Sequence, residues 1–356
     1  MSQQNQFDLI VIGGGSAGMA AAIRAALCGL KVIVFDAAGE FYDKPCGEGL
    51  MPPAIDCLEK LGVRVAKKFD FQGIRSFGYD GQSSLVAFPG RAKGFGIRRR
   101  ELRGAMWSRA RELQVEIRTE SIKSIEERGE LVHVGAVSAP WLCLASGSRS
   151  ALTRSLAPMS ARANFARFGL RRHAQMVPWS DCVEVYWARE AELYVTPVAD
   201  DTVNFAVLSW SPMSFEQALK LFPAVEQKLK GVHWVDESRG VGPLMRRAAW
   251  FQRGRVLLAG DAAGFLDAMT GEGNALALAA GIAAADAVVS GRVTSYPGIW
   301  RQLTWRYWAL TWSLLWLTRP GGLRFWIVRL VTRHAVIFRL GLRFMLGPQS
   351  LRAIRR

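Results

Sequence analysis

The run Asp8-Leu-Ile-Val-Ile-Gly-Gly-Gly-Ser-Ala-Gly18, answered by Asp36 at the end of a second apolar run, constrains this chain more than any other stretch. Leu9 to Ile12 read as a buried parallel strand and Met19 to Leu27 as an Ala-rich helix. Between them Gly13 permits a tight turn, Gly15 lets backbone approach a pyrophosphate, and Gly18 lets the helix sit close to the strand. Ser16 and Ala17 open the helix, whose free N–H groups and dipole favour an anion. Lys31 to Phe35 supply the second strand, and Asp36 is placed to accept from ribose hydroxyls. A lone Gly-x-Gly-x-x-Gly is weak evidence. Strand, turn, helix, strand and acid in this order and at this spacing predict a bound dinucleotide.

A chain of 356 residues, 50% hydrophobic, buries a large core and is expected to divide into two lobes. The polar lead runs straight into the first strand with no basic segment and no cleavable apolar one, so a cytoplasmic protein is expected. Cys28, Cys46, Cys57, Cys143 and Cys182 are odd in number and form no ligand spacing with the four histidines, which predicts neither a disulfide framework nor a metal site. The net charge of +16 is concentrated at the end, where no acid follows Asp286. Trp305, Trp308, Trp312 and Trp316 recur at helical spacing, Pro320-Gly321-Gly322 breaks the chain, and a second helix follows. Arg301, Arg306, Arg319, Arg324, Arg329, Arg333, Arg339, Arg343, Arg352, Arg355 and Arg356 stud the segment. It lacks the ~20 uncharged residues of a membrane span. The pattern over 300–346 suits helices lying peripherally on the inner face of the cytoplasmic membrane, arginines toward anionic lipid. The other reading is a helical pair covering the core, with its arginines in water. Nucleic acid is not expected, because the basic residues are interleaved with bulky apolar ones.

Lys44-Pro-Cys-Gly-Glu-Gly-Leu-Met-Pro52 is a constrained loop, which one βαβ unit after the fingerprint lies at the ligand-binding edge of the sheet. Arg98 to Arg100 open a helix running to about Leu113, and an arginine in a first turn is badly placed for the helix dipole, so Arg99 is expected to answer a phosphate. Val115 to Ile125, Leu131 to Val137 and Trp141 to Ala145 read as strands, the last stopping at Ser146-Gly147. Beyond Leu156 the texture changes: Val183 to Trp187, Leu193 to Thr196 and Val203 to Leu208 read as alternating strands and Phe215 to Leu229 as a helix, giving a mostly antiparallel second lobe. Another buried strand ends in Gly260-Asp261, and Thr270-Gly-Glu-Gly-Asn274 leads into a helix from Ala275 to Val289. Two glycine turns so far apart in sequence are explained together by one long, extended cofactor.

These motifs, spanning Phe7 to Val289, resemble those of the FAD enzymes that include group A flavoprotein monooxygenases, flavin-dependent halogenases and geranylgeranyl reductases. The resemblance implies an α/β fold: a GR2-type Rossmann FAD-binding domain (1–75, 92–155, 245–298), a mostly antiparallel substrate lobe (76–91, 156–244) and a basic helical extension (299–356). It implies FAD held by Gly13, Gly15, Ser16, Ala17, Gly18 and Asp36 at the ADP half. Arg99 would contact the phosphate, Gly260 and Asp261 the ribityl chain, and Gly271, Gly273 and Asn274 the flavin pyrimidine edge. Pro45, Cys46 and Gly47 resemble the Cys-Gly loop that lies against the isoalloxazine in the reductase branch. Ser146-Gly147 stands where the family has Asp-Gly, a departure that bears on NADPH handling more than on FAD. The halogenase signature Trp-x-Trp-x-Ile-Pro is missing.

Two enzymatic readings follow, both with NAD(P)H as external reductant. One is hydroxylation of a lipophilic, phenolic lipid-like substrate through a flavin C4a-hydroperoxide. The other is reduction of a double bond in a prenyl or polyketide lipid. A non-catalytic, membrane-associated FAD-binding scaffold is the third. The hydrophobic substrate is expected among Trp179, Tyr186, Trp187, Tyr194, Phe205 and Trp210, with Cys46 and Glu48 as candidate catalytic groups.

Overall fold

The computed structural model describes residues 5–90, 92–160 and 165–346. Arg352, Arg355 and Arg356 lie outside that set. The uniformly apolar runs Leu9–Ile12, Val32–Phe35, Trp141–Leu144 and Val256–Leu258 have the composition of strands covered on both faces, and they form a parallel sheet. Glu116–Arg118 closes one edge and Gln252–Arg253 the other, antiparallel. The register aligns Ile12 with Leu144 and Leu144 with Leu258, so Gly13, Ala145 and Gly260 leave the sheet close together along its carboxyl edge.

Helices α1 (Ser16–Leu27), α2 (Arg99–Glu112) and α3 (Gly273–Val289) cover this sheet. The Ala-rich faces of α1 and α3 meet with almost no side chain between them: a Cβ on Gly281 would lie 2.1 Å from the Ala17 carbonyl oxygen. That closeness brings the N-termini of the two helices to one end of the molecule.

An eight-stranded, mostly antiparallel sheet forms the second lobe. Its order is His233–Trp234, Phe168–Gln175, Thr202–Ser209, Ala191–Ala199, Val183–Trp187, Gly73–Phe77 and Ser83–Ala87, with Arg239–Val241 also on the second of these. This lobe takes Gly73–Phe77 as a strand, ahead of position 76. Several local expectations are corrected. The strand expected over Val115 to Ile125 is only Glu116–Arg118, with Glu126–Arg128 in a separate small sheet. The helix expected over Phe215 to Leu229 is two short ones, Phe215–Leu219 and Pro223–Lys228, because Pro223 starts a helix more readily than it continues one.

The C-terminal segment is three helices, α4 (Tyr296–Leu317), α5 (Gly322–Arg333) and α6 (Ala335–Leu346). It is built into the core. The Trp300 ring stacks on Phe251 at 3.8 Å, and the Tyr296 hydroxyl donates to the Leu258 carbonyl in the parallel sheet. The Tyr307 hydroxyl accepts from the amides of Leu266 and Asp267. One arginine expected to face lipid does the opposite: Arg324 is 1% exposed. Its guanidinium donates to the carbonyls of Thr318, Ala188 and Ala191 and to Glu192, bolting α5 to the antiparallel sheet. Among the described residues no helix is long and apolar enough to cross a membrane.

Candidate functional site

A cavity of ≈1070 Å³ runs from the carboxyl edge of the parallel sheet to the inner face of the antiparallel one. At one end lie Gly13, Gly15, Ser16, Ala17 and Asp36, in the middle Gly260 and Asp261, and further on Gly271, Gly273 and Asn274. Pro45, Cys46, Gly47, Glu48, Arg99, Ser146 and Gly147 complete this wall. Gly18 lies behind it, where a Cβ would meet the Gly13 carbonyl oxygen at 1.8 Å.

The polar end is shaped for a phosphate. Gly15 caps α1 without any side-chain bond to the first-turn amides, and a Cβ built on it meets nothing within 4 Å. Uncapped N–H groups beside open space form an anion cradle. The turn is rigidly held: Arg103 donates to the Gly14 carbonyl (2.8 Å) and to Asp36 (2.7 Å), and Trp107 donates to the same carbonyl (3.0 Å). Asp36 also accepts from the amides of Gly14, Ala38 and Gly39, so in this structure its carboxylate fastens the fingerprint loop to the end of the second strand. Arg99 reaches across to the Asn274 side-chain oxygen, linking the N-termini of α2 and α3. Asp261 is partly buried, and the Lys44 ammonium beside it outweighs that desolvation and holds its carboxyl below the usual range.

Gly13 sits at φ +108°, and a Cβ there would lie 2.5 Å from the Ala145 carbonyl carbon. Gly13→Ala is therefore expected to shift the whole turn. Strain of about 1–3 kcal/mol corresponds to ~10- to 100-fold weaker cofactor binding, measured as flavin absorbance per chain after gel filtration. Retention of full flavin would show that the turn is not the cradle.

At the other end of the cavity the walls are apolar. Strand alternation turns Val183, Val185 and Trp187 of one strand and Tyr194 and Thr196 of the next into the cavity. Trp179, Tyr186, Phe205 and Trp210 do not line it. Tyr186 and Trp179 point to the opposite face, where both donate to Glu184, and Phe205 lies fully buried there. Trp210 stands over the Arg167 guanidinium instead. The walls absent from the sequence reading are Met51, Ile74 and, from the C-terminal helices, Leu310, Leu314, Val328, Val331, Phe338 and Leu342.

The loop carrying Cys46 is tied to both lobes. Its carbonyl accepts from Asn204 (3.0 Å), and its sulfur accepts from the Glu48 amide (3.4 Å) and the Asn274 side chain (3.5 Å). Glu272, at the start of α3, is pushed up to about 8 by burial alone. A carboxyl with a raised folded value loses stability as pH climbs from its ordinary 4.5 toward 8 and nothing further above. In flavin-free protein Glu272→Gln is thus expected to gain on the order of 3–5 kcal/mol at pH 9 and little at pH 4, read from urea midpoints. Equal gains at both values would rule out the buried acid.

Comparisons with known proteins agree with this geometry. The family model described as "FAD binding domain" matches residues 8–42. The chain is 27% identical over 337 residues to the menaquinone reductase of Mycolicibacterium smegmatis, covering 86% of this chain and 82% of that one. It is 41% identical over 92 residues to the menaquinone reductase of Mycobacterium tuberculosis, a match covering 25% of this chain and 22% of that protein. Among solved structures, a triple mutant of the flavin-dependent brominase Bmp2 superposes with a TM-score of 0.78 at 19% identity, covering 91% of this chain and 94% of that one. The protein is an FAD-dependent oxidoreductase with a Rossmann-like FAD-binding fold.

Proposed function

We propose that the protein is a flavin-dependent reductase that saturates a carbon–carbon double bond in the prenyl chain of a lipid, an isoprenoid quinone being the class that fits best. The carrying observation is the shape of the cavity: a phosphate cradle at one end, and at the other a deep wall of Ile, Val, Leu, Phe and Met side chains supplied jointly by the antiparallel sheet and α4–α6. A branched hydrocarbon chain fills such a wall without leaving buried polar groups unpaired. Similarity to a menaquinone reductase over most of both chains supports the same class. Bound FAD would supply hydride transfer, with NAD(P)H as the external reductant. The chain's own residues position and dry the site: Trp187 and Tyr194 hold the chain beside the Cys46 loop, and the Tyr194 hydroxyl is already committed to the Met269 carbonyl (3.0 Å).

The test is anaerobic. FAD-loaded protein is reduced with NADPH, or with dithionite if NADPH fails, and mixed with menaquinone or with its chainless naphthoquinone head. Reoxidation by menaquinone, with a product two hydrogens heavier that stays so after air exposure, marks chain saturation. A product that reverts in air marks head-group reduction. Hydroxylation, the competing reading, gives substrate-stimulated oxygen uptake and a product heavier by one oxygen. Either of the last two outcomes removes the proposal.

We further propose that an anionic bilayer delivers this substrate. Trp316, Phe325, Trp326, Val336 and Leu340 project outward from α4–α6 among the exposed Arg319, Arg339 and Arg343, while the same helices turn Leu314, Val328 and Phe338 into the cavity. Trp316→Ser with Trp326→Ser is expected to weaken co-sedimentation with anionic vesicles about tenfold and to leave flavin content unchanged. Undiminished sedimentation would place the membrane contact elsewhere.

A further inference from the structure

Glu48 is a non-glycine residue at φ +58°, a conformation that L side chains avoid, and it is 2% exposed. Such a backbone persists only where surroundings over-determine it. Here they do. One carboxylate oxygen accepts from the Arg99 amide (2.7 Å), and the other lies 2.5 Å from His173 Nε2. The opposite ring nitrogen, Nδ1, is 2.8 Å from Asp236, whose other oxygen accepts from the His173 amide (3.0 Å). The His173 side chain is fully buried, whereas that of Asp236 is 21% exposed. An unbroken line of three titratable groups therefore leads from solvent, between the lobes, to the cavity wall next to Cys46.

The charged groups facing His173 are Glu48 from the Cys46 loop, Asp236 from the second lobe, Arg98 at the start of α2, and Arg171 on its own strand with Asp43 behind it. Burial opposes the imidazolium, and the hydrogen bonds to Asp236 and Glu48 outweigh it, holding the His173 value above its ordinary 6.5. Arg171 Nη1 also lies 2.7 Å from Nδ1.

We propose that Glu48, His173 and Asp236 form a proton relay from solvent to the cavity, with Glu48 as the donor to substrate. This rests on the reductase reading above. Reduction of one double bond requires a hydride, delivered from the reduced cofactor to one carbon, and a proton at the neighbouring carbon, where the π electron pair forms the second C–H bond. That proton leaves the Glu48 carboxyl. The resulting carboxylate takes the Nε2 proton of the His173 imidazolium, leaving a neutral ring protonated at Nδ1 beside Asp236, and one proton from solvent restores the imidazolium before the next turnover. The two electrons consumed are returned by the nicotinamide.

Two measurements test it. The first needs no turnover: ¹⁵N NMR of FAD-loaded protein, with the His173 signal identified by its loss in His173→Gln. The His173 midpoint is expected above its ordinary value and lower in both Glu48→Gln and Asp236→Asn. An unmoved midpoint in Glu48→Gln overturns the relay. The second is anaerobic reoxidation by menaquinone in stopped flow. His173→Gln keeps a hydrogen bond to Glu48 but carries no transferable proton, so a purely structural histidine is rescued by glutamine and a relay is not. The expected result is about 10²-fold slower reoxidation, with the pH limb of the wild-type rate tracking the NMR midpoint and absent in the variant. Wild-type reoxidation in His173→Gln also overturns the relay. If wild-type protein fails to reduce menaquinone, the reductase reading falls, and the NMR arm alone decides whether the three groups are coupled. Thermal midpoint and flavin content, measured on each variant, separate misfolding from loss of the relay.

Discussion

A chain ending after Ser290 is expected to fail to fold, losing flavin and cooperative melting together with any membrane contact. The removed helices bury Tyr296, Trp300, Tyr307, Leu315 and Val328 almost completely. Each such side chain contributes about 1.5–3 kcal/mol on burial, so the sum approaches or exceeds the ~5–15 kcal/mol that holds a typical domain together. The loss is also polar. Without Tyr307 the amides of Leu266 and Asp267 lose their acceptor beside the Gly260-Asp261 segment, and without Tyr296 a carbonyl at the end of a parallel strand loses its donor. Soluble yield, circular-dichroism melting and flavin absorbance of the shortened chain check this. A cooperatively melting, yellow fragment would show that the helices are an appendage after all.

Glu192→Ala is expected to be the most damaging single substitution in the antiparallel lobe. Arg167, Glu192, Asp267 and Arg324 form a closed set of two cations and two carboxylates, none more than 1% exposed in its side chain. Alanine at 192 leaves two buried guanidinium groups facing one carboxylate. Breaking a buried pair from one side costs about 3–5 kcal/mol, and here two pairs share the missing partner. Chemical denaturation reads the change directly as a lower midpoint at constant slope. Adding Arg324→Met to Glu192→Leu removes one charge of each sign and is expected to restore much of the loss. A Glu192→Ala protein within 1 kcal/mol of wild type would mean that water reaches this cluster.

What could be read from the chain follows from how locally each feature is encoded. The glycines at 13, 15 and 18 are legible because a tight turn at a helix N-terminus imposes its demands on neighbouring positions. The cavity wall is not, because alternation along Val183–Trp187 and Ala191–Ala199 says which residues share a face and not which face meets the cavity; Trp187 and Tyr186 are equivalent to the eye. The strand Phe168–Gln175 is hidden for a related reason: it carries Arg171, Arg172 and His173 in succession, and two of the three are fully buried against carboxylates distant in sequence. The same holds for Arg324, whose partner Glu192 nothing nearby announces. Pairings between buried charges are written only in the tertiary fold.

That last pairing has a bearing on how the molecule is made. Glu192 and Arg324 are 132 positions apart, so during synthesis the acid leaves the ribosome long before its second cation exists. The antiparallel lobe must wait, half neutralised and with an open hydrophobic flank, until Arg324 has emerged. Such long-range closure is slow and leaves nascent chains prone to aggregate. A chain halted anywhere between Glu192 and Arg324 is therefore expected to leave that flank uncovered and the acid with a single cation, and to be captured by chaperones more readily than one that has passed Arg324.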